Sequence, residues 1–162
     1  MKHTKPEFIL KDLVKDTDLT ISAAESCTGG NISHLLTTVP GSSQYYLGSV
    51  TSYAVSVKVK ILGVNAQIIE DKGVVSSEVA AAMAEGVKKI TGSDYAVATT
   101  GLAGPGGDER NPEGTVWIAF TGPHKTVTLK RVLNGSRISN IRQFSTIALK
   151  ELKNLLIQVN SL

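Results

Sequence analysis

Cysteine is nearly absent: Cys27 is the only one in 162 residues. That excludes an intrachain disulfide and leads us to expect a reducing, cytoplasmic setting. Histidine is also scarce, and His3, His34 and His124 lie far apart. They offer no close-spaced ligand pair, so no metal is expected. Aromatic residues make up only 5%. The basic residues fall in short pairs, such as Lys58/Lys60, Lys88/Lys89 and Lys130/Arg131, and form no stripe interleaved with aromatics. Nucleic acid is therefore not the expected partner, and a phosphate-bearing small molecule suits the net charge of +3 equally well. No apolar run is long enough to span a bilayer and no signal-peptide pattern opens the chain, so no membrane partner is expected. What remains is an ordinary globular composition, 41% hydrophobic and 19% charged. The length fits one domain, residues 1–162, with a sizeable core.

Periodicity then marks the elements. Thr4, Pro6 and Glu7 read as a capped helix start, with Ile9, Leu10, Leu13 and Val14 as its buried stripe. Residues 19–25 read as a strand, followed by a helix through Ile32, Leu35 and Leu36 that ends at Pro40. A second short helix is expected from Ser42 as N-cap to Gly48 as stop, then a strand over 49–53 and a helix over 55–62. Ser76-Ser77-Glu78 opens a longer helix with Val79, Met83, Val87 and Ile90 on one face and Gly92 after its end. Strands are expected at 95–99, 115–120 and 126–133, the last two forming a hairpin around Gly122-Pro123. A helix from Arg137 to about Val159 closes the chain. Helices alternating with strands, plus a hairpin, predict an α/β domain of three α/β/α layers on a mixed, mostly parallel sheet.

Four stretches could carry chemistry. In "ESCTGG", residues 25–30, a strand runs through Thr28-Gly29-Gly30 into a helix. That pattern fits an anion cradle, and it equally fits a plain tight turn. Cys27 reads either as a nucleophile or as a small inert residue; a catalytic cysteine needs a base, and the nearest histidine, His34, is on a helix. In "GSSQYYLGSVTSYAVSVK", Ser43 could face Tyr53 and Lys58 if one helical turn leads out and a strand leads back. As a single extended strand, Ser43 and Tyr53 would stand roughly 33 Å apart. A serine with a neutral lysine as base and a tyrosine between them can cleave amides. The bland alternative is that serine caps a turn, tyrosine fills a strand end and lysine is solvated. The glycine-rich loop from Thr100, Gly101 and Gly104 onwards lines a crevice or merely connects two strands. Arg137 and Arg142, on the last helix, could hold a phosphate or be solvated.

Together, "AESCTGG", "PGSSQYY", "GSVTSYAVSVK", "GVVSSEVAAAMAEG", "SDYAVATTGLAGPGG", "PEGTVWIAF" and "NGSR" with "IRQ" resemble the C-terminal domain of the competence/damage-inducible protein (CinA) family. The likeness covers nearly the whole chain and points to the stand-alone, nicotinamide-nucleotide amidohydrolase form. It implies hydrolysis of the carboxamide of nicotinamide mononucleotide to nicotinate mononucleotide and ammonia. It also implies no metal or other cofactor and a homo-oligomer, a dimer being favoured. The family's catalytic serine, tyrosine and lysine fall on Ser43, Tyr53 and Lys58, which leaves Cys27 a spectator in the floor of the site. The nucleotide would then be held by Glu25, Ser26, Thr28, Gly29, Gly30, Ser42, Thr100, Gly101, Gly104, Arg137 and Arg142, with Glu25 either contacting the ribose or anchoring the Gly-Gly loop. Two other readings stay open: a non-catalytic nucleotide- or partner-binding module of the same fold, or an amidohydrolase for another carboxamide.

Overall fold

Every residue of the first strand, β1 (Ile21–Glu25), is buried, because a sheet covered on both faces hides both sets of alternating side chains. Ile21 and Ala23 face one core, and Ala24 faces the other. The computed structural model describes residues 4–160, with side chains described for 4–158; of the three histidines, His3 lies outside this range. Five strands form one sheet in the order β2-β1-β3-β4-β5, with β2 Tyr46–Thr51, β3 Tyr95–Gly101, β4 Thr115–Thr121 and β5 Thr126–Val132. β1 pairs in parallel with both β2 and β3, while β4 is antiparallel to β3 and to β5. The sheet is therefore mixed, and β4 alone runs against the other four.

Helices cover both faces, giving the expected three layers. On one side, α1 (Pro6–Val14), α2 (Asn31–Thr37) and α6 (Arg137–Asn160) bury Leu10, Val14, Ile32, Leu36, Phe144, Leu149 and Leu152 against Ile21, Ala23 and Val97. On the other, α5 (Ser77–Thr91) buries Val79, Ala80, Met83, Ala84 and Val87 against Ala24, Ala96 and Ala98. The short helices α3 (Val55–Lys60) and α4 (Ala66–Lys72) flank α5 on that side, and Leu62 and Val64 between them join its core.

Several local expectations differ from the structure. Thr4 does not cap α1; Lys5 occupies the N-cap without a side-chain bond, and Glu7 is buried. Gly48 does not stop a helix. The helix after Gly41 is a single 3-10 turn, Ser42–Gln44, and Gly48 lies inside β2 with a φ of 141°, an extended geometry open to glycine. β2 thus starts three residues early and leaves Tyr53 beyond its end. Helix α4 had no sequence expectation, although its N-cap Asn65 accepts a bond from the Gln67 amide. Ile90 faces solvent, not the core.

Gly86 on α5 is where this layer closes on itself. A Cβ placed there would lie 2.1 Å from the Leu62 carbonyl oxygen. In an open helix, Gly→Ala gains about 1 kcal/mol. Here overpacking against fixed backbone costs about 1–3 kcal/mol or more, and should win. Gly86→Ala is expected to lower the melting temperature by several degrees in a thermal scan; an unchanged or raised midpoint would contradict the close packing of α5 on the α3–α4 turn.

Candidate active site

β1 and β3 are parallel neighbours, and the chain leaves β1 toward β2 on one side before returning to β3 on the other. A crevice is expected at the carboxyl ends of strands that diverge in this way. A cavity of about 260 Å³ lies there. Ser26 and Cys27, after β1, and Lys58, on α3, line it together with Val74 and Val75. Thr100 to Gly106 build the opposite wall, and Tyr53, Val55 and Arg137 also line it.

Lys58 is the feature that organises the site. Its side chain is wholly buried. The amine reaches Ser26 Oγ at 2.9 Å, the Ser52 carbonyl at 2.5 Å and the Tyr53 carbonyl at 3.3 Å. Burial pushes its pKa below the ordinary lysine value. A neutral amine has two N–H groups and one lone pair. The charged amine donates to all three oxygens; once it has lost a proton, the two carbonyls, which can only accept, keep the N–H groups, and the lone pair is left for the one neighbour able to donate, the Ser26 hydroxyl. The turn after β1 thus presents a serine to a lysine suited to act as base.

Ser43 is not in this site. It is exposed on the 3-10 turn before β2, while Lys58 packs beyond the end of β2. The six residues of β2 separate the two by roughly 17–20 Å. The out-and-back geometry expected for residues 43–53 fails because the turn is one residue triplet long and the strand then runs straight away from it. Ser42 shares that turn and is equally remote. The serine signal lay instead in "ESC", where Ser26 follows a fully buried strand.

Of the two readings of the Gly-Gly stretch, the structure takes the tight turn. Gly29 and Gly30 take φ values of 59° and 96°, as a tight turn into α2 requires. The turn offers no open anion cradle, because Glu25 already fills it. The buried Glu25 carboxylate accepts from the Thr28 hydroxyl at 2.6 Å and from the amides of Gly30, Ile32 and Ser33 at 3.1, 3.0 and 2.8 Å. Glu25, Thr28, Gly29 and Gly30 therefore support the floor and do not line the cavity. Thr100, Gly101 and Gly104 do line it. Thr100 donates to the Val74 carbonyl at 2.8 Å, and a Cβ on Gly101 would meet the Thr115 carbonyl at 2.5 Å.

The two arginines part ways. Arg137 donates to the Gly104 carbonyl at 2.6 Å and to the Tyr53 hydroxyl at 3.0 Å, joining two walls of the cavity. Arg142 lies in a separate groove between α1, α2 and α6, beside Lys5 and His34. Among the described residues, no group of three His, Cys, Asp or Glu side chains is gathered to hold a metal ion. No described helix is long and apolar enough to cross a membrane.

Comparison with known proteins bears on all of this. Residues 3–156 match the family model of the CinA C-terminal domain. A CinA-like protein of Cytophaga hutchinsonii is 42% identical over 154 residues, covering 94% of this chain and 37% of the relative. A CinA-like protein of Salinibacter ruber is 44% identical over 151 residues, covering 93% and 37%. The chain thus spans little more than a third of the length of these relatives. Among solved structures, a competence or damage-inducible protein from Enterobacter asburiae superposes with a TM-score of 0.90 at 28% identity, covering 93% of this chain and 96% of that one. A CinA superfamily protein from Enterobacter cloacae gives 0.91 at 28% identity, covering 96% and 95%.

Cys27 lies beside Ser26 in the floor, and burial pushes its thiol up to about 12. A hydrogen bond with Thr99 opposes that rise and is outweighed. Against a free thiol near 8.5, the thiolate fraction at pH 8 falls by about 1,000-fold. Alkylation of native Cys27 by iodoacetamide is therefore expected to run orders of magnitude slower than in the denatured chain. Equal rates would restore the cysteine as a candidate nucleophile.

Proposed function

This chain belongs to the CinA C-terminal domain family, and we propose that it hydrolyses the carboxamide of nicotinamide mononucleotide to nicotinate mononucleotide and ammonia, with Ser26 as nucleophile in place of Ser43. The observation that carries this reading is the 2.9 Å contact between Ser26 Oγ and the buried amine of Lys58 in the floor of the cavity. The choice of substrate rests on the family resemblance of the sequence. The cavity supports it with a cation, Arg137, and an apolar wall of Val74, Leu102 and Ala103 suited to a ring.

Neutral Lys58 takes the Ser26 proton as Oγ attacks the carboxamide carbon. The negative charge that develops on the amide oxygen needs backbone donors. The amides of Cys27 and Thr28 follow the nucleophile directly and are the donors we assign. Protonated Lys58 then gives its proton to the departing nitrogen, and ammonia leaves. Water, activated by the same lysine, hydrolyses the acyl-serine and restores Ser26. Tyr53 and Arg137 hold the outer part of the nucleotide, with the Arg137 guanidinium placed for the phosphate. Because α2 spends its first amides on Glu25, the phosphate has no helix terminus to use there. A homodimer belongs to the same proposal and is read by sedimentation.

The test is ammonia release from nicotinamide, its riboside and its mononucleotide, measured side by side. Ser26→Ala is expected to lower turnover of the mononucleotide by at least about 1,000-fold, and Ser43→Ala to stay within about twofold of wild type. The reverse pattern would return the role to Ser43, and release only from another carboxamide would replace the substrate. No release from any of them by the folded protein would favour a binding module.

The pH profile has a definite sign. The base must be unprotonated, and burial lowers the pKa of Lys58. The value of kcat/KM should rise with pH through one ionisation whose midpoint lies below the free-lysine value of about 10.4. A profile that falls over this range would exclude Lys58 as the base.

A further inference from the structure

Glu25 is a buried carboxylate one residue before the proposed nucleophile, yet it does not touch the cavity. We propose that Glu25 is the positioning residue of this site, holding Ser26 at the distance from Lys58 that proton transfer needs; this rests on the reading of Ser26 as the nucleophile.

Two routes of hydrogen bonds converge on Glu25. The first runs through its side chain. Alternation along β1 sends Glu25 to the α2 face and Ser26 to the Lys58 face. The carboxylate gathers the Gly30, Ile32 and Ser33 amides and the Thr28 hydroxyl. Because its own O–H donates to the carboxylate, the Thr28 hydroxyl accepts from Thr99 Oγ1 at 2.8 Å. Thr99 in turn supplies the carbonyl that receives the Ser26 amide at 3.0 Å. Carboxylate, Thr28, Thr99 and Ser26 thus form a closed ring around the turn.

The second route is main chain. The Glu25 carbonyl accepts the Ser52 amide at 2.8 Å, and the Ser52 carbonyl accepts the Lys58 amine. One residue therefore sets the position of the serine through its side chain and of the lysine through its peptide. Replacing the carboxylate by an amide removes two of its acceptor sites and presents donors to backbone N–H groups. The turn would then relax while the route to Lys58 stays intact, so Ser26 would move relative to its base.

The experiment compares wild type with Glu25→Gln, Thr28→Val and Thr28→Ser. Thr28→Val removes the hydroxyl linking carboxylate and Thr99 at nearly constant shape, and Thr28→Ser restores it. Two readouts are used: kcat and KM for nicotinamide mononucleotide, and the rate at which a fluorophosphonate labels Ser26, located by peptide mass spectrometry. Rates are expressed per folded molecule, taken from the cooperative thermal transition. Expected are a fall of at least tenfold in kcat and in labelling rate for Glu25→Gln and Thr28→Val, with KM within about threefold, and recovery in Thr28→Ser. Wild-type rates per folded molecule in Thr28→Val, or equal losses in Thr28→Val and Thr28→Ser, would overturn the inference. If Glu25→Gln does not fold, the threonine pair decides. Wild type labelled at Ser26 but inactive on the mononucleotide would overturn the substrate reading alone, and the labelling rates would still decide the role of Glu25. Wild type neither labelled nor active would overturn the nucleophile and this inference together.

Discussion

The site depends on keeping one amine out of water. Lys58 is among the largest fully buried side chains of the described residues, and a buried ammonium costs several kcal/mol unless it is paired or gives up its proton. No carboxylate reaches it; its partners are two carbonyls and a hydroxyl. That set can take all three N–H groups of the ion, but it offers no countercharge, so burial disfavours the charged form. It also explains why the chain bends as it does after β2: Ser52 and Tyr53 must turn their carbonyls inward, and α3 must begin at once, for the amine to be held from both sides.

The sheet does the rest of the positioning. A strand buried on both faces sends successive residues to opposite layers, so the adjacent acid and serine at the end of β1 enter different environments. Glu25 meets only the amides and hydroxyl of the α2 turn. Ser26 meets the cavity. The helix terminus that would attract an anion is satisfied from inside the protein, and the cation that lines the cavity is Arg137, across the site.

Much of this was legible in the residues. The three layers, the hairpin, the Ser76 cap of α5 and the glycine loop as a cavity wall all follow from short-range signals: alternation, capping and glycine punctuation. Lys58, Tyr53, Thr100, Gly101, Gly104 and Arg137 were named as site residues, and they do come together. Ser43 and Arg142 were named with them, and they do not. Ser43 was carried over from the family resemblance and Arg142 from its helix, and neither route could see how long a turn runs or which way a helix face points. Gly48 shows the same limit: the residue that can end a helix can also sit in a strand, and only the pairing of β2 with β1 chooses.

The sequence by itself determined the class of fold, the family and the inventory of reactive groups, because local propensity and motif order suffice for those. Only the tertiary structure decided which serine faces the lysine. Ser26 and Lys58 are thirty-two positions apart and meet because β1 and β2 lie side by side in parallel, with matching ends. Ser43 is nearer to Lys58 in the chain and farther in space, because the rigid length of β2 stands between them.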